Sequence, residues 1–187
     1  PVELYKQVAG AGLMGIGYPE EYGGSGGDLG HTLAAAEEML LAGHSVGTIV
    51  GLSSHAIALP PLLAHGSAEQ RQRWVPPVMR GEAIAALAIT EPDGGSDVAA
   101  LKTRAVRDGQ DYVVTGSKTF ITSGTRADFV TTAVRTGGPG YGGISLLVIE
   151  KGTPGFTVSK KLKKTGWWAS DTAELSFEDC RVPKENL

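Results

Sequence analysis

Two short stretches concentrate residue types that can hold a ligand. The first, "ALAITEPDGGSDVAA" (86–100), runs from an apolar strand-like segment into a turn with three acids, a proline and two adjacent glycines. Strand alternation sets Leu87 and Ile89 on one face and Ala88 and Thr90 on the other. Thr90 then offers a hydroxyl and a backbone N–H beyond the sheet edge, and Pro92 stiffens the exit. Gly94 and Gly95 let backbone N–H groups come close to a phosphate, and Ser96 adds a donor. Glu91, Asp93 and Asp97 would repel a phosphate, so they must point away, cap local backbone or meet cations. Taken alone, the turn reads equally as a structural loop and as a ligand cradle.

The second stretch is "SKTFITSG" (117–124). Alternation puts Lys118, Phe120 and Thr122 on one face, with Thr119 and Ile121 on the other. An aromatic plane and a hydroxyl about 6.6 Å apart along a strand suit stacking on one ring of a flavin while bonding its N5/O4 edge. A barrel strand with a core phenylalanine fits the same residues equally well. A flavin asks a protein for an apolar wall, hydrogen bonds at the ring edge and a pyrophosphate cradle. Between them the two stretches offer all three.

Other patterns carry less. "GAGLMG" fits G-x-G-x-x-G through Gly10, Gly12 and Gly15, but a helical run precedes it and Pro19 follows, so the strand–turn–helix context is missing. "GGSGG" (23–27) fits G-x-S-x-G around Ser25 with no strand leading in. Both read as surface loops. With 27 glycines in 187 residues, such matches are expected by chance. His31, His44, His55 and His65 show no metal-ligand spacing, and no metal site is expected. His55 reads as a packed or capped helix residue, the Lys160, Lys161, Lys163 and Lys164 cluster as a solvated face, and Trp74, Trp167 and Trp168 as core or interface anchors.

The elements that must position the two stretches fall into two grammars. Residues 1–84 read as short helices: Asp28 caps a run with Leu33, Ala36 and Leu40 at helical spacing and Gly43 as its stop. A second run ends at Pro60-Pro61, and a third opens with Ser67 and Gln70 at capping-box spacing and closes at a double proline. Residues 85–187 are short β-branched runs separated by Gly, Asp or Pro, without helical patterns between them. The expected fold is α+β: an N-terminal helical domain, 1–84, followed by an antiparallel β-barrel-like domain, 85–187.

Bulk composition narrows the partners. The net charge of −3 argues against nucleic acid as the main partner. No apolar run reaches the 18 residues of a membrane span, and the single Cys180 excludes an internal disulfide and suits a reducing compartment. The start, "PVELYKQVAG", lacks an initiator methionine and reads as mid-helix, so the chain is expected to be a fragment.

The chain resembles the acyl-CoA dehydrogenases. "ITEPDGGSD", "VTGSKTFITSG", "GISLLVIEKGTPGF" and "SDTAELSFEDCRVP" carry the likeness in order, and "GIGYPEEYGGSGGD" and "HGSAEQRQRWVPPVMRGE" extend it upstream. The resemblance implies FAD held between a β-barrel domain and helical domains, with a fatty acyl-CoA thioester against the flavin. Carried over, the cofactor residues are Leu87, Ile89, Thr90, Gly95, Ser96, Phe120, Ile121 and Thr122; Ser96 also touches the CoA ester. Phe120 stands where many members have tryptophan, keeping a stacking face without the indole N–H, and Thr122 is the hydroxyl that bonds flavin N5.

The implied reaction removes hydrogen from the α and β carbons, giving the trans-2-enoyl-CoA of fatty-acid β-oxidation. Electrons pass to an electron-transfer flavoprotein, and the whole protein is a homo-oligomer, dimer or tetramer. The family's catalytic glutamate belongs to a C-terminal helical bundle that this chain does not contain, so no catalytic residue is assigned here. Two alternatives stand beside this one: an acyl-CoA oxidase or flavin monooxygenase on the same scaffold, and a non-catalytic interaction module. The expected location is the cytoplasm, with the mitochondrial matrix as the alternative.

Overall fold

A computed structural model describes residues 2–187. They form two units, each with its own internal contacts: residues up to Ile84 together with Lys164–Ser170, and Ala85–Lys163 together with Asp171–Leu187.

The helical unit holds α1 (Val2–Gly10), α2 (Leu29–Gly43), α3 (Val46–Leu52), α4 (His55–Ala58), α5 (Pro60–His65) and α6 (Ala68–Met79). Asp28 caps α2 by accepting the His31 amide, and the His31 ring returns to the Asp28 backbone N–H. Ser67 and Gln70 form the expected reciprocal box at the start of α6. The prolines depart from expectation. Pro60 opens α5 instead of closing the helix before it, because a first-turn N–H has no intrahelical acceptor to lose. Pro76 and Pro77 lie inside α6, whose end survives because their carbonyls accept the amides of Arg80, Glu82 and Ala83.

The two discarded glycine motifs meet each other. Ser25 donates its amide to the Gly15 carbonyl at 2.8 Å and its hydroxyl to the Gly12 carbonyl at 2.7 Å. Close approach of backbone is what the glycines permit, and no phosphate is needed to explain them. His55 is buried, its ring nitrogens 3.1 Å from the Leu52 and Met14 carbonyls, and burial holds its pKa below the ordinary value. Trp74 is buried, whereas Trp167 and Trp168 are exposed; Trp167 seats its backbone and Cβ against Gly47, and the Trp168 indole N–H donates to the Lys164 carbonyl at 2.8 Å.

The second unit is a seven-stranded sheet: β1 (Ala85–Ala88), β2 (Arg104–Asp108), β3 (Asp111–Thr122), β4 (Phe129–Arg135), β5 (Ile144–Glu150), β6 (Phe156–Lys161) and β7 (Thr172–Pro183). The fold is α+β as expected, but the sheet is mixed and not wholly antiparallel. β5 lies antiparallel along one edge of β4, while β1 and then β2 share its other edge in parallel. The chain leaves β1 and traverses the β2–β3 hairpin before returning as β4, which brings β4 back in the direction of β1. β3, β7 and β6 complete the sheet in antiparallel register. Ala86, Ala88, Ile121, Leu147, Ala173, Leu175 and Phe177 belong to one core. The lysines of β6 stand exposed, as a solvated face should.

Cys180 is fully buried in that core, and burial pushes its thiol up to about 11. In mildly alkaline buffer it is expected to resist iodoacetamide in the folded protein and to react promptly in urea. Equal rates in both, read by mass spectrometry, would contradict the packing of β7 described here.

Candidate functional site

The site is built where the exit of β1 meets a defect in β3. The β3–β7 register slips between Lys118 and Ile121: three steps along β3 match two along β7, from Leu175 to Ala173. The extra residue adopts a left-handed backbone at Phe120, φ 59°, which is uncommon for a side chain of that size. The strict alternation read from the sequence therefore fails here. Lys118 turns to the core side with Ile121 and is fully buried, whereas Phe120 swings outward and is 67% exposed.

Three bonds join the bulge to the β1 exit. The Thr119 amide donates to the Thr90 carbonyl at 2.9 Å. Lys118 Nζ donates to the Ile89 carbonyl at 2.8 Å and to Glu91 Oε1 at 3.0 Å. Thus the two stretches singled out by composition are neighbours in one unit, and Phe120 is not consumed by the sheet core.

Beyond Thr90 the chain makes a tight turn, with reciprocal backbone bonds between Glu91 and Gly94. Gly94's amide is therefore engaged inside the turn and not offered to a ligand. Among the described residues the Gly95 and Ser96 amides have no partner, as is also true of the amides of Asp93 and Asp97 on either side of them, so Gly95 and Ser96 remain free to donate. A side chain at Gly94 would meet nothing within 4 Å, and a cavity of about 280 Å³ opens beside it, lined by Ile89, Gly95, Val98, Leu101 and Lys102 among others. Gly95 itself sits close to Thr90, where a Cβ would come within 3.0 Å of the threonine methyl.

Two of the three acids meet partners as the charge argument asks, while among the described residues the Asp97 side chain makes no capping bond to the turn it precedes and lines the cavity with its charge unpaired. Asp93 pairs with Lys102 at 2.7 Å on the surface. Glu91 faces inward: Oε1 accepts Thr103 N and Lys118 Nζ, and Oε2 accepts Lys102 N at 2.7 Å. Burial raises the Glu91 pKa, but the bonds from Thr103, Lys102 and Lys118 outweigh it and hold the carboxyl below its ordinary value. A carboxylate so fully engaged is no general base.

Of the remaining candidates, Leu87, Ile89 and Thr122 are half-buried and Ser96 is exposed. Ile121 is 2% exposed and its side chain belongs to the core, leaving only its backbone for a ligand. Two features escaped the sequence reading. Lys118 was visible only as a polar residue in an alternating run. Asp171 was not singled out, yet it anchors the turn after β3: its carboxylate accepts Thr125 N at 2.9 Å and Thr125 Oγ1 at 2.6 Å and pairs with Arg126. Its backbone carbonyl takes the amide of Ser123, a second left-handed residue at φ 62°. The arrangement can hold a flat ring against Phe120, bond its edge, and receive an anion at Gly95–Ser96. Among the described residues no cluster of His, Cys, Asp and Glu could hold a metal ion.

Comparison with known proteins gives this geometry a lineage. Residues 1–82 match the acyl-CoA dehydrogenase N-terminal domain, and residues 86–180 match the acyl-CoA dehydrogenase middle domain. An acyl-CoA dehydrogenase of Bacillus subtilis is 40% identical over 188 residues, covering all of this chain and 49% of its own length. A probable acyl-CoA dehydrogenase from Mycobacterium abscessus superposes with a TM-score of 0.98 at 59% identity, covering 100% of this chain and 50% of its own. An acyl-CoA dehydrogenase from Bacillus anthracis, solved in complex with FAD, superposes with a TM-score of 0.90 at 36% identity, covering 100% of this chain and 32% of its own. The chain spans about half the length of the curated relatives it matches. With the N-terminal and middle domains matched in order along almost all of its residues, the chain belongs to the acyl-CoA dehydrogenase family.

Proposed function

We propose that this chain is the flavin-holding part of an FAD-dependent acyl-CoA dehydrogenase acting on a fatty acyl-CoA thioester. The observation that supports the reading is the bonding of the β3 bulge to the β1 exit, with Phe120 exposed on one stretch and the Gly95 and Ser96 amides free to donate on the other. When bound, FAD supplies the acceptor for the hydride that leaves the acyl β-carbon. Phe120 provides the wall for the ring, and the Thr122 hydroxyl bonds its edge. Gly95 and Ser96 donate their amides to the pyrophosphate, and Ser96 Oγ reaches the CoA ester. The apolar faces of Leu87 and Ile89 exclude water from the pyrimidine side.

The base that takes the α-proton is not among these residues, since Glu91 is engaged on both oxygens. In the whole protein, electrons pass to an electron-transfer flavoprotein, the subunits form a homo-oligomer, and the enzyme works in the cytoplasm.

The test is the visible spectrum of the purified full-length protein. Bound flavin that bleaches when a fatty acyl-CoA is added without oxygen supports the reading. Colourless protein that takes up no added FAD contradicts it.

A further inference from the structure

Lys118 and Glu91 form an ion pair that stability alone does not explain. The lysine is 0% exposed and the glutamate 8%. Burying two charges carries a desolvation penalty that mutual attraction only just offsets, and well-packed apolar residues generally serve the fold as well. What the ion pair has and an apolar pair lacks is direction. Lys118 lies two residues before Phe120, and Glu91 directly follows Thr90, so the pair ties the strand that carries Phe120 to the turn that leads to Gly95.

It also closes a circuit. Glu91 Oε1 accepts Thr103 N at 2.8 Å, the Thr103 hydroxyl donates to the Ser117 carbonyl at 3.2 Å, and Ser117 is covalently joined to Lys118. From Lys118 the circuit returns to Glu91 at 3.0 Å. A left-handed phenylalanine persists only where its surroundings over-determine it, and this circuit sits against its N-terminal side.

We propose that the Lys118–Glu91 pair, with Thr103, is a positioning device that sets the separation between the Phe120–Thr122 ring edge and the Gly95–Ser96 cradle, so that FAD meets a preformed site. The inference rests on the functional reading above and adds to it a role for three residues outside the cofactor set named there.

The test is FAD titration of the full-length apoprotein, followed by flavin fluorescence, with thermal unfolding and the visible spectrum at saturating FAD measured in parallel. Lys118→Met is expected to weaken FAD binding at least tenfold and to shift the visible absorption of the FAD that still binds. Lys118→Arg, which keeps the charge, is expected to recover much of the affinity. Because Lys118→Met leaves a buried carboxylate unpaired, Thr103→Val provides a near-isosteric variant that opens the circuit without stranding a charge. It is expected to raise the FAD dissociation constant severalfold while the apoprotein melts at the wild-type temperature.

Wild-type affinity and an unshifted spectrum in Thr103→Val would overturn the proposal even if Lys118→Met fails to fold. So would a loss of affinity that merely tracks a loss of stability across the series. Failure of the wild-type protein itself to bind FAD sinks the functional reading instead, which separates the two.

Discussion

Asp171→Ala is expected to lower the unfolding free energy of the sheet unit by about 3 kcal/mol, the range seen when one partner of a buried ion pair is removed. The Asp171 side chain is 7% exposed and that of Arg126 27%, so the pair is screened far less than a surface bridge. Alanine also strands the Thr125 amide and hydroxyl, each of which loses a short bond. The effect should be read by urea unfolding of the apoprotein. A loss under about 1 kcal/mol would place Asp171 with ordinary surface pairs.

The same carboxylate carries a pH signature. Burial raises its pKa, but Thr125 and Arg126 outweigh burial and hold it below the ordinary 3.8. Since the folded carboxyl then ionises at lower pH than the unfolded one, its contribution is complete above 3.8 and disappears as pH falls through the folded value. Asp171→Asn is expected to lose less stability than wild type over that acid range.

Gly24→Val is the second large effect, in the helical unit. Any Cβ at this position would lie 2.2 Å from the Tyr18 carbonyl oxygen and 2.4 Å from its carbon. These are backbone atoms and cannot swing aside. Tyr18 is itself buried, with its hydroxyl bonded to the His55 carbonyl at 3.1 Å. The expected loss is on the order of 3 kcal/mol, the upper end for forced overpacking. Gly10→Ala is the control: a Cβ there meets nothing within 4 Å, and at the last residue of α1 the change is expected to leave stability nearly unaltered. Equal melting temperatures for the two variants would contradict the backbone approach of Gly24 to Tyr18.

Much of this arrangement was legible in the residues because local rules dominate where they are strongest. Side-chain caps at Asp28 and Ser67 announce helix starts through bonds made within three residues. The change to β-branched runs near residue 85 reflects a change in packing period, which composition records directly. The charge argument at Glu91, Asp93 and Asp97 expects the acids to point away or to meet cations or backbone; Glu91 and Asp93 do meet them, whereas among the described residues the Asp97 side chain caps nothing and pairs with no cation.

What stayed hidden depends on contacts far apart in the chain. Phe120 carries no glycine or asparagine to advertise a left-handed backbone, so a bulge in "SKTFIT" cannot be told from a regular strand by period. The inward turn of Lys118 follows from that bulge and from a partner 27 residues away. Parallel pairing of β1 with β4 is likewise a property of the returning chain and not of either strand. Pro76 and Pro77 forfeit the amide bonds a helix interior would use, yet their carbonyls, which would otherwise be orphaned near the C-terminal end, accept Arg80, Glu82 and Ala83 from the chain that follows.

Amide hydrogen exchange with and without FAD, resolved to short peptides of the full-length apoprotein, tests the central geometry most directly. The Gly95 and Ser96 amides are unpartnered in the free chain and should exchange quickly, then slow markedly once the pyrophosphate takes them, with Phe120–Thr122 protected in the same titration. Protection that falls elsewhere, or that reaches only one of the two segments at saturating FAD, would mean they do not share a ligand.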